Sequence, residues 1–577
     1  MKRLLYIILI MCMAMPVIGQ KSRKRSKAGK KPQVEQADTV TKAQAQAKYE
    51  KNHDFEVARQ LETFSAIYKQ LDMMYVDTLD PAVTVGSGIR AMLRSLDPYT
   101  EYYPADEVKT LRTMLTGKYA GIGALIKHDL KNDCVVVDEP YEGLPAAEAG
   151  LMKGDIIIAI DDSTMLGRSV SDVSSRLRGD AGSTFMLKIK RDGKVRKMKI
   201  TRRAIQLPSV SYYGMLGQGV GFLQLTQFTD ECARDIRRAI VDMRQQGMTG
   251  LVFDLRNNGG GSLAEAIKIV NMFVPKGIEL VTTKGKIKRS NKVFKTEQEP
   301  LDTIMPVVVL TNGNSASASE ITAGSLQDLD RAVIMGTRTY GKGLVQLPVD
   351  LPHDGSLKLT TSKYYIPSGR CIQAINYKHT GGGYREHIPD SLTREFKTRA
   401  GRTVRDGGGI KPDLEVKADT LPNIAIYLGH GMPDSTEVLF HYVVDYIRQH
   451  PTIAPADSFS LTDADYANFK ERVIKSGFKY DRETSKVYKE LVEVAKFEGY
   501  YDDAKAEFDA LKDKLQHNLE RELDNNRKPI QQIIENEIIA AYHYQRGAIA
   551  ASLRHDSQVK AAKELLLDSE RYHSILR

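Results

Sequence analysis

The 577-residue sequence predicts a multidomain α/β protein. Residues 206–420 alternate short apolar runs with helix-like runs, for example PVVVLTN before SASEITAGSLQDL. This alternation is typical of an α/β core whose largely parallel sheet finishes in antiparallel strands. Residues 116–205 hold short β-like runs with two helix-like pieces, and apolar residues recur at helical spacing before and after these two regions. Because the chain is too long for one core, we expect several domains.

The N-terminus is typical of a secretory signal peptide. MKRLLYIILIMCMAMPVIGQ begins with basic residues and continues with an apolar stretch that is short for a membrane span. A lipidated Cys12 and an uncleaved anchor are the alternatives, although Ile10 and Met11 stand where small residues would precede a lipidated Cys. In each case we expect the folded part to lie outside the cytoplasm, in the periplasm or the cell envelope.

The composition shifts along the chain predict six segments. They are a signal peptide (1–19), a basic linker (20–50), an N-terminal helical domain (51–115), a small β-domain (116–205), the α/β core (206–420) and a C-terminal helical region (421–577).

The charge distribution argues against a nucleic-acid partner. The net charge is +10, but Lys2, Arg3 and the run KSRKRSKAGKK (21–31) account for nine of these charges. The remainder of the chain is therefore nearly neutral, and the basic run is typical of a solvated linker. The sequence has no CxxC, no HExxH and no Cys/His cluster, so we expect neither a metal nor an organic cofactor.

Two glycine-rich motifs resemble nucleotide-binding loops but lack their context. GTRTYGKG (336–343) ends in Gly343 where a phosphate loop needs Ser or Thr, and a strand-like run follows it instead of a helix. RNNGGGSLAEA (256–266) has the GxGxxA spacing of a dinucleotide fingerprint without a second nucleotide-binding half. At a strand end, such glycines also let backbone NH groups approach and stabilise an oxyanion.

The hexapeptide SASASE (315–320) permits a structural and a catalytic interpretation. Ser317 and Glu320 have the spacing of a capping box at the start of a helix. A serine there also places its hydroxyl at the positive end of the helix dipole, which favours a developing alkoxide. A catalytic serine needs a base, and Lys342 is a candidate because it lies between two glycines in TYGKGLVQ, a stretch without acidic residues. Burial can lower the pKa of such an amine enough to make it a base.

The β-domain resembles a PDZ domain. The resemblance rests on YAGIGALI, LPAAEAGLMKGDIIIAIDD and RGDAGSTFMLKIKRDG, in that order. A PDZ domain adds a peptide as an extra strand and holds its C-terminal carboxylate in a glycine-rich loop. The resemblance implies that Gly121, Ile122 and Gly123 form this peptide-binding loop.

The whole of residues 55–420 resembles the carboxyl-terminal processing peptidases, or tail-specific proteases, which use a Ser/Lys dyad. The matching motifs are SLDPYTEYYP, DLRNNGGG, SASASE, LQDLDRA, GTRTYGKGLVQ, TTSKYYIPSGRCIQ and GGGIKPD, in the family's order. The resemblance implies a crotonase/ClpP-like α/β peptidase core with an inserted PDZ-like domain. It also implies a structural role for Asp328. Cys371 departs from the family pattern, in which a hydroxyl residue is commoner at this position.

The resemblance also implies the catalytic roles. Ser317 would be the nucleophile, Lys342 the general base and Gln346 the residue that orients Lys342. The oxyanion hole would combine the amide of Ala318 with that of Gly260, or with that of Gly261.

The function expected from these residues is that of a serine endopeptidase of the cell envelope. It would recognise exposed C-terminal tails of proteins or peptides and cleave peptide bonds without a cofactor. A PDZ-bearing scaffold with an inactive protease core is the alternative, and a hydrolase of small acyl compounds is a third class. Residues 421–577 are expected to form a homo-oligomer contact, to dock an adaptor lipoprotein or to guard the entrance, and their amphipathic pattern does not select among these roles.

Overall fold

The computed structural model describes residues 35–577 except 109–117, 207, 375–388, 430–435, 481 and 516–517. The expected signal peptide (1–19) and the basic run 21–31 lie outside these residues. The chain divides into two compact units, Met1–Ser87 and Gly88–Arg577. The prediction of a multidomain α/β protein is confirmed.

The first unit is helical. It contains α1 (Glu35–Met74) and the first part of α2 (Pro81–Arg94). Helix α1 begins inside residues 20–50, the segment expected to be a basic linker, and the bounds of that segment stay a prediction. The stretch TKAQAQAKYEK consists largely of good helix formers without Gly or Pro, and this composition favours a helix.

The second unit contains a small β-domain over residues 118–206. Its antiparallel sheet has the order β3-β4-β5-β7-β8, with β3 at one edge, and β2 pairs with β9. A core of its own lies between this sheet and its two helices. The elements are β2 (Lys118–Gly121), β3 (Ala124–Asp129), β4 (Cys134–Pro140), α3 (Pro145–Glu148), β5 (Ile156–Ile160), β6 (Ser163–Thr164), α4 (Val170–Leu177), β7 (Thr184–Arg191), β8 (Lys194–Thr201) and β9 (Arg203–Gln206).

The α/β core begins with a six-stranded sheet of order β10-β11-β12-β15-β16-β21, in which only the β10–β11 pair is antiparallel. Its central strands β11, β12, β15 and β16 are mostly apolar and buried because both faces of the sheet are covered. The elements are β10 (Val210–Gly217), β11 (Val220–Leu225), α5 (Cys232–Gln245), β12 (Gly250–Asp254), α6 (Leu263–Asn271), β15 (Val307–Thr311), α7 (Ala318–Asp328), β16 (Val333–Gly336) and β21 (Leu414–Glu415).

A second, antiparallel sheet completes the core, as the sequence predicts. Helices α5 to α7 contribute to a hydrophobic core that contains residues of both sheets, and every residue of α7 is buried. The strands are β1 (Glu101–Tyr103), β13 (Glu279–Gly285), β14 (Lys292–Lys295), β17 (Leu344–Asp350) and β18 (Ser356–Tyr365), with a separate hairpin of β19 (Glu395–Lys397) and β20 (Thr403–Arg405).

Strand β1 corrects the expected N-terminal helical domain (51–115). Glu101 pairs with Lys358 and Tyr103 with Ser356, so β1 belongs to the antiparallel sheet of the core. The three-residue strand is too short to show a period in the sequence, and its partner lies more than 250 residues away.

The C-terminal region is helical, as predicted, but it is not packed as one body. Most of its helices share a separate core, whereas α15 and α16 cover the second face of the six-stranded sheet. The helices are α8 (Asn423–Gly429), α9 (Val438–Gln449), α10 (Asp463–Lys475), α11 (Glu483–Glu498), α12 (Lys505–Lys514), α13 (Leu519–Asn525), α14 (Arg527–Ser552), α15 (Ser557–Leu567) and α16 (Ser569–Ile575).

Among the described residues, no helix is both long enough and apolar enough to span a bilayer.

Candidate active site

Ser317 lies on a sharp turn between a buried strand and a buried helix. Strand β15 ends at Thr311, and α7 begins at Ala318 with Ser317 as its N-cap. The backbone of Ser317 has φ 56° and ψ −112°, which a non-glycine residue rarely adopts. Such strain persists only where the surrounding structure fixes it, and it is concentrated at functional sites.

The three serines of SASASE have different environments. Ser315 and Ser319 are fully buried, and each hydroxyl donates to a main-chain carbonyl of the segment after β12 at 2.8 Å. Ser317 is partly exposed. Ser315 and Ser319 therefore bind the turn to the segment after β12, whereas Ser317 is accessible to solvent.

Glu320 connects this turn to the segment that carries Lys342. It is completely buried, and its oxygens accept from Thr339 Oγ1 and Gly341 N at 2.6 Å. Its Oε2 also accepts from the N–H groups of both Ser317 and Lys342 at 2.8 Å. Burial raises the pKa of this carboxyl to about 7, and the four donors oppose the rise. One carboxylate oxygen therefore holds the main chains of Ser317 and Lys342 side by side.

Two glycines allow close packing around Lys342. Gly341 has φ +88°, and a Cβ there would overlap Ala374 Cβ. A Cβ at Gly343 would lie 2.8 Å from the main-chain nitrogen of Gln373. These positions have no room for a side chain, which agrees with the expectation that small neighbours let another segment pack beside Lys342.

The Lys342 amine lies in a largely buried site, 4.4 Å from the centre of the Tyr99 ring. Its pKa is lowered to about 8, chiefly by burial and then by the Lys358 ammonium. The carboxylates of Glu101, Glu320 and Asp97 oppose this shift. The stretch TYGKGLVQ has no acidic residue, and these three carboxylates come from other segments of the chain. Asp97, Tyr99 and Glu101 lie near the Lys342 amine, but the hydrophobic pattern of residues 95–104 does not indicate this contact.

Gln346 does not hydrogen-bond to Lys342 within the part of the chain that the structure describes. Its Nε2 donates to Thr360 Oγ1 at 3.2 Å, across the β17–β18 pair. An orienting role for Gln346 stays a prediction.

The amides expected to form an oxyanion hole lie beside Ser317. A Cβ on Gly260 would lie 2.8 Å from Ser317 Cβ and 2.9 Å from Ala318 N. However, the Gly260 N–H already donates to Asn258 Oδ1 at 2.9 Å. This engaged amide argues against Gly260 as a donor to the oxyanion.

Gly261 has a better placed amide. Gly260 O and Ser262 N both bond to the main chain of Phe228, so the N–H of Gly261 points away from that segment. Ala318 is the first helical residue, whose N–H has no partner within a helix. In the hydrogen bonds of the described residues, neither of these two amides has a protein acceptor.

Models of known protein families match three parts of the chain. Residues 219–380 match the model of Peptidase family S41, residues 136–191 match a PDZ domain and residues 425–566 match the C-terminal helical domain of a probable PDZ-protease. The carboxy-terminal-processing protease of Bartonella bacilliformis is 38% identical over 330 residues, which cover 56% of this chain and 75% of that protein. The chain belongs to the carboxy-terminal-processing proteases of family S41.

Two further similar proteins have lower sequence identity to this chain. A probable CtpA-like serine protease of Staphylococcus epidermidis is 33% identical over 54% of this chain and 63% of its own length. The photosystem II D1 C-terminal processing protease is a solved structure with 28% identity and a TM-score of 0.34, covering 62% of this chain and 88% of its own. The three family models and the Bartonella relative show a serine-type peptidase with a PDZ domain and a C-terminal helical domain, and these expectations are confirmed.

The PDZ domain of the peptidase has a loop with unused amides at the expected position. Ile122 O accepts from Ala146 N at 2.8 Å, and Gly123 O accepts from Tyr141 N at 2.9 Å. The N–H groups of Ile122 and Gly123 have no protein acceptor among the described residues. Gly121, by contrast, ends β2 and pairs with Arg203. Gly123 has φ +73°, and a Cβ there would overlap the Leu144 side chain.

Asp328 of the peptidase lies at the end of α7 and forms an ion pair with Arg370 at 2.7 Å, with both side chains buried. This arrangement agrees with the structural role expected for it.

Within the described residues of the peptidase, one group has donors close enough for a metal, namely Asp129, Glu437 and His441. Glu437 already pairs with Lys127 at 2.7 Å, and Asp129 accepts three N–H bonds from the turn that follows it. The arrangement fits a charged contact between the PDZ domain and α9.

Substituting Gly341 tests whether the close packing around Lys342 matters. We expect Gly341→Ala to lower kcat/KM more than about tenfold, because the overlap with Ala374 displaces Lys342. Gly277→Ala is the matched control, since Gly277 has the same φ of +88° with nothing within 4 Å of a Cβ. Both variants carry about 1 kcal/mol of left-handed strain, so peptidase assays with thermal unfolding separate strain from overlap. Equal activity of the two variants would contradict the expectation.

Proposed function

We propose that this peptidase cleaves peptide bonds with Ser317 as nucleophile and Lys342 as general base. The observation that carries the proposal is the shared Glu320 oxygen, which places the main chains of both residues side by side. The partial exposure of Ser317 supports it as the reacting serine. The lowered pKa of Lys342 supports it as the base, because a neutral amine can accept a proton.

The reaction then proceeds through an acyl-enzyme. Neutral Lys342 takes the hydroxyl proton as Ser317 Oγ attacks the peptide carbonyl carbon. The amides of Ala318 and Gly261 donate to the oxyanion of the tetrahedral intermediate. As the C–N bond breaks, the Lys342 ammonium gives its proton to the leaving amine. Lys342 then takes a proton from a water molecule as that water attacks the ester carbonyl carbon, and it gives this proton to Ser317 Oγ as the C–O bond breaks, which releases the acid and restores Ser317.

The PDZ domain recognises substrates by an exposed C-terminus in this proposal. Strand β3 is an edge of its sheet, so a peptide can add beside it as a further strand. The amides of Ile122 and Gly123 are then donors for the terminal carboxylate. Helix α4 packs near β3 and forms the other side of the groove.

We also propose that the peptidase acts in the periplasm or the cell envelope, on the basis of the signal-like residues 1–19, and cell fractionation checks this. Self-association and docking of an adaptor lipoprotein stay predictions of the sequence.

Substitutions in the proposed dyad test the mechanism. With an unfolded protein substrate that ends in apolar residues, we expect Ser317→Ala and Lys342→Ala to abolish cleavage. Lys342→Arg should be equally inactive, since a guanidinium does not deprotonate in proteins. Thermal unfolding of each variant checks that it is folded. Cleavage at the wild-type rate by these variants would refute the mechanism, and a wild-type protein without peptidase activity would favour the inactive scaffold. Cleavage of small esters with no dependence on a peptide C-terminus would favour the third class.

The pH dependence of kcat/KM tests the state of Lys342. The neutral amine is the active form, so the rate should rise with pH through about 8 and level off above 9. At pH 6 only about 1% of the amine would be neutral. Lys358→Met should move the midpoint upward, because it removes a neighbouring positive charge and frees the Glu101 carboxylate. A profile that falls between pH 7 and 9, or a midpoint that Lys358→Met lowers, would contradict this assignment.

Peptide binding tests tail recognition. We expect Ser317→Ala protein to bind a fluorescent peptide with a free C-terminal carboxylate at least tenfold tighter than its amide, by anisotropy. Gly123→Ala should weaken binding, because its Cβ would overlap Leu144. Gly143→Ala is the matched control, with φ +68° and nothing within 4 Å. Equal affinity for the acid and the amide would remove the carboxylate from the proposal.

A further inference from the structure

The segment that carries Lys342 is irregular, yet its backbone is completely hydrogen-bonded. Residues 341–343 lie in neither helix nor strand. Each of their six main-chain polar groups nevertheless has a partner. The bonds are Gly341 N to Glu320 Oε1 (2.6 Å), Ala374 N to Gly341 O (3.0 Å), Lys342 N to Glu320 Oε2 (2.8 Å), Tyr364 OH to Lys342 O (2.6 Å), Gly343 N to Gln373 Oε1 (2.7 Å) and Tyr364 N to Gly343 O (3.0 Å).

Tyr364 makes two of these six bonds and also reaches Ser317. Its hydroxyl donates to Lys342 O at 2.6 Å and lies 3.3 Å from Ser317 O, a second acceptor. Glu320 joins the amides of the same two residues. The main chains of Ser317 and Lys342 are therefore bridged on the N–H side by Glu320 and on the carbonyl side by Tyr364.

The carbonyl-side bridge constrains a motion that Glu320 alone permits. A bond to Lys342 N fixes one peptide unit, but the following peptide can still rotate about the Cα of Lys342. That peptide is held at both of its polar atoms, by the bond from Tyr364 to Lys342 O and by the bond from Gly343 N to Gln373 Oε1, and with it the direction of the Cα–Cβ bond. The position of the amine relative to Ser317 then depends only on the side-chain torsions.

The hydroxyl of Tyr364 is a permanent donor. Tyr364 is 1% exposed, on the face of β18 that contributes to the main core. Burial, followed by the Glu320 carboxylate, raises its pKa well above the ordinary value for tyrosine. The hydroxyl therefore keeps its proton wherever the enzyme works.

We propose that Tyr364 is a positioning residue for the reaction: its hydroxyl bridges the carbonyls of Lys342 and Ser317 and so holds the base at the nucleophile. This inference rests on the proposed Ser317/Lys342 dyad. It assigns no proton transfer to Tyr364, which touches main chain only. Displacement of a reacting group by about 1 Å can cost a hundredfold in rate, so the loss of one bridge has a kinetic effect.

The test compares Tyr364→Phe with Tyr365→Phe in the full-length peptidase. Tyr364→Phe removes only the hydroxyl and keeps the packed ring. Tyr365 is the matched control because it is the next residue and lies on the opposite face of β18. The centre of its ring is 4.7 Å from Lys284 Nζ. We expect Tyr364→Phe to lower kcat about 10- to 100-fold with KM within twofold. Tyr365→Phe should leave both constants within twofold of wild type. The pH midpoint should stay in place while the plateau falls, since the base is displaced and not removed.

Inactivation by a fluorophosphonate gives a second readout, because this reagent reports the reactivity of Ser317 without peptide binding. Tyr364→Phe should slow inactivation in the wild-type background and have no further effect in Lys342→Ala protein. If Tyr364→Phe does not fold, Tyr364→Met removes the same hydroxyl with a flexible apolar side chain and answers the question.

The outcomes separate this inference from the proposed function. Active Ser317→Ala or Lys342→Ala protein would refute the dyad itself. Inactive dyad variants together with wild-type kcat in Tyr364→Phe would overturn only the role of Tyr364. A change in KM with an unchanged kcat would also overturn it. So would an equal decrease in the rate of fluorophosphonate inactivation by Tyr364→Phe in the wild-type and Lys342→Ala backgrounds.

Discussion

The site depends on one buried carboxylate. Glu320 has no solvent contact, and a carboxylate in such a place is several kcal/mol unfavourable unless donors surround it. Four donors do so here, from Ser317, Thr339, Gly341 and Lys342. All four groups donate, so the ionised form satisfies them and a protonated form would lose an acceptor. The strained turn and the irregular segment 339–342 keep their shapes because each supplies donors that this carboxylate requires.

The position of Glu320 follows from the layering of the core. Helix α7 is buried on all sides because it lies in the layer that packs against both sheets, where Gly324 lets Ile366 and Ile410 approach within 3 Å of a Cβ position. Along the strands of the six-stranded sheet, successive side chains alternate between this core and a second core on the other face. Helices α15 and α16 cover that second face. The C-terminal helices therefore contribute to the rigidity of the sheet that presents the turn at Ser317.

The sequence predicted the parts of the fold and site that show a hydrophobic period or a family motif. Alternating apolar runs predicted the core strands and helices, and the family resemblance placed Ser317 and Lys342 in segments that the structure brings together. It did not predict Tyr99 or Glu101 near the amine, because pairing of β1 with β18 joins residues far apart in the chain. Nor could it choose between Gly260 and Gly261, since the choice depends on a hydrogen bond from one amide. The amphipathic pattern of residues 557–575 predicts an apolar face, but it does not indicate that this face packs on the six-stranded sheet.

The charges around Lys342 represent a compromise between geometry and chemistry. Glu320 positions the lysine backbone, but its negative charge favours the protonated amine, as do Glu101 and Asp97. A pKa lowered from 10.5 to about 8 corresponds to about 3 kcal/mol against the charged amine. Burial is the largest contribution, and Lys358 adds to it. Lys358 also pairs with Glu101, which weakens the field of that carboxylate at the amine. The basic residue on β18 thus offsets acids that the fold places there, and Lys342 can be neutral beside a carboxylate that it cannot do without.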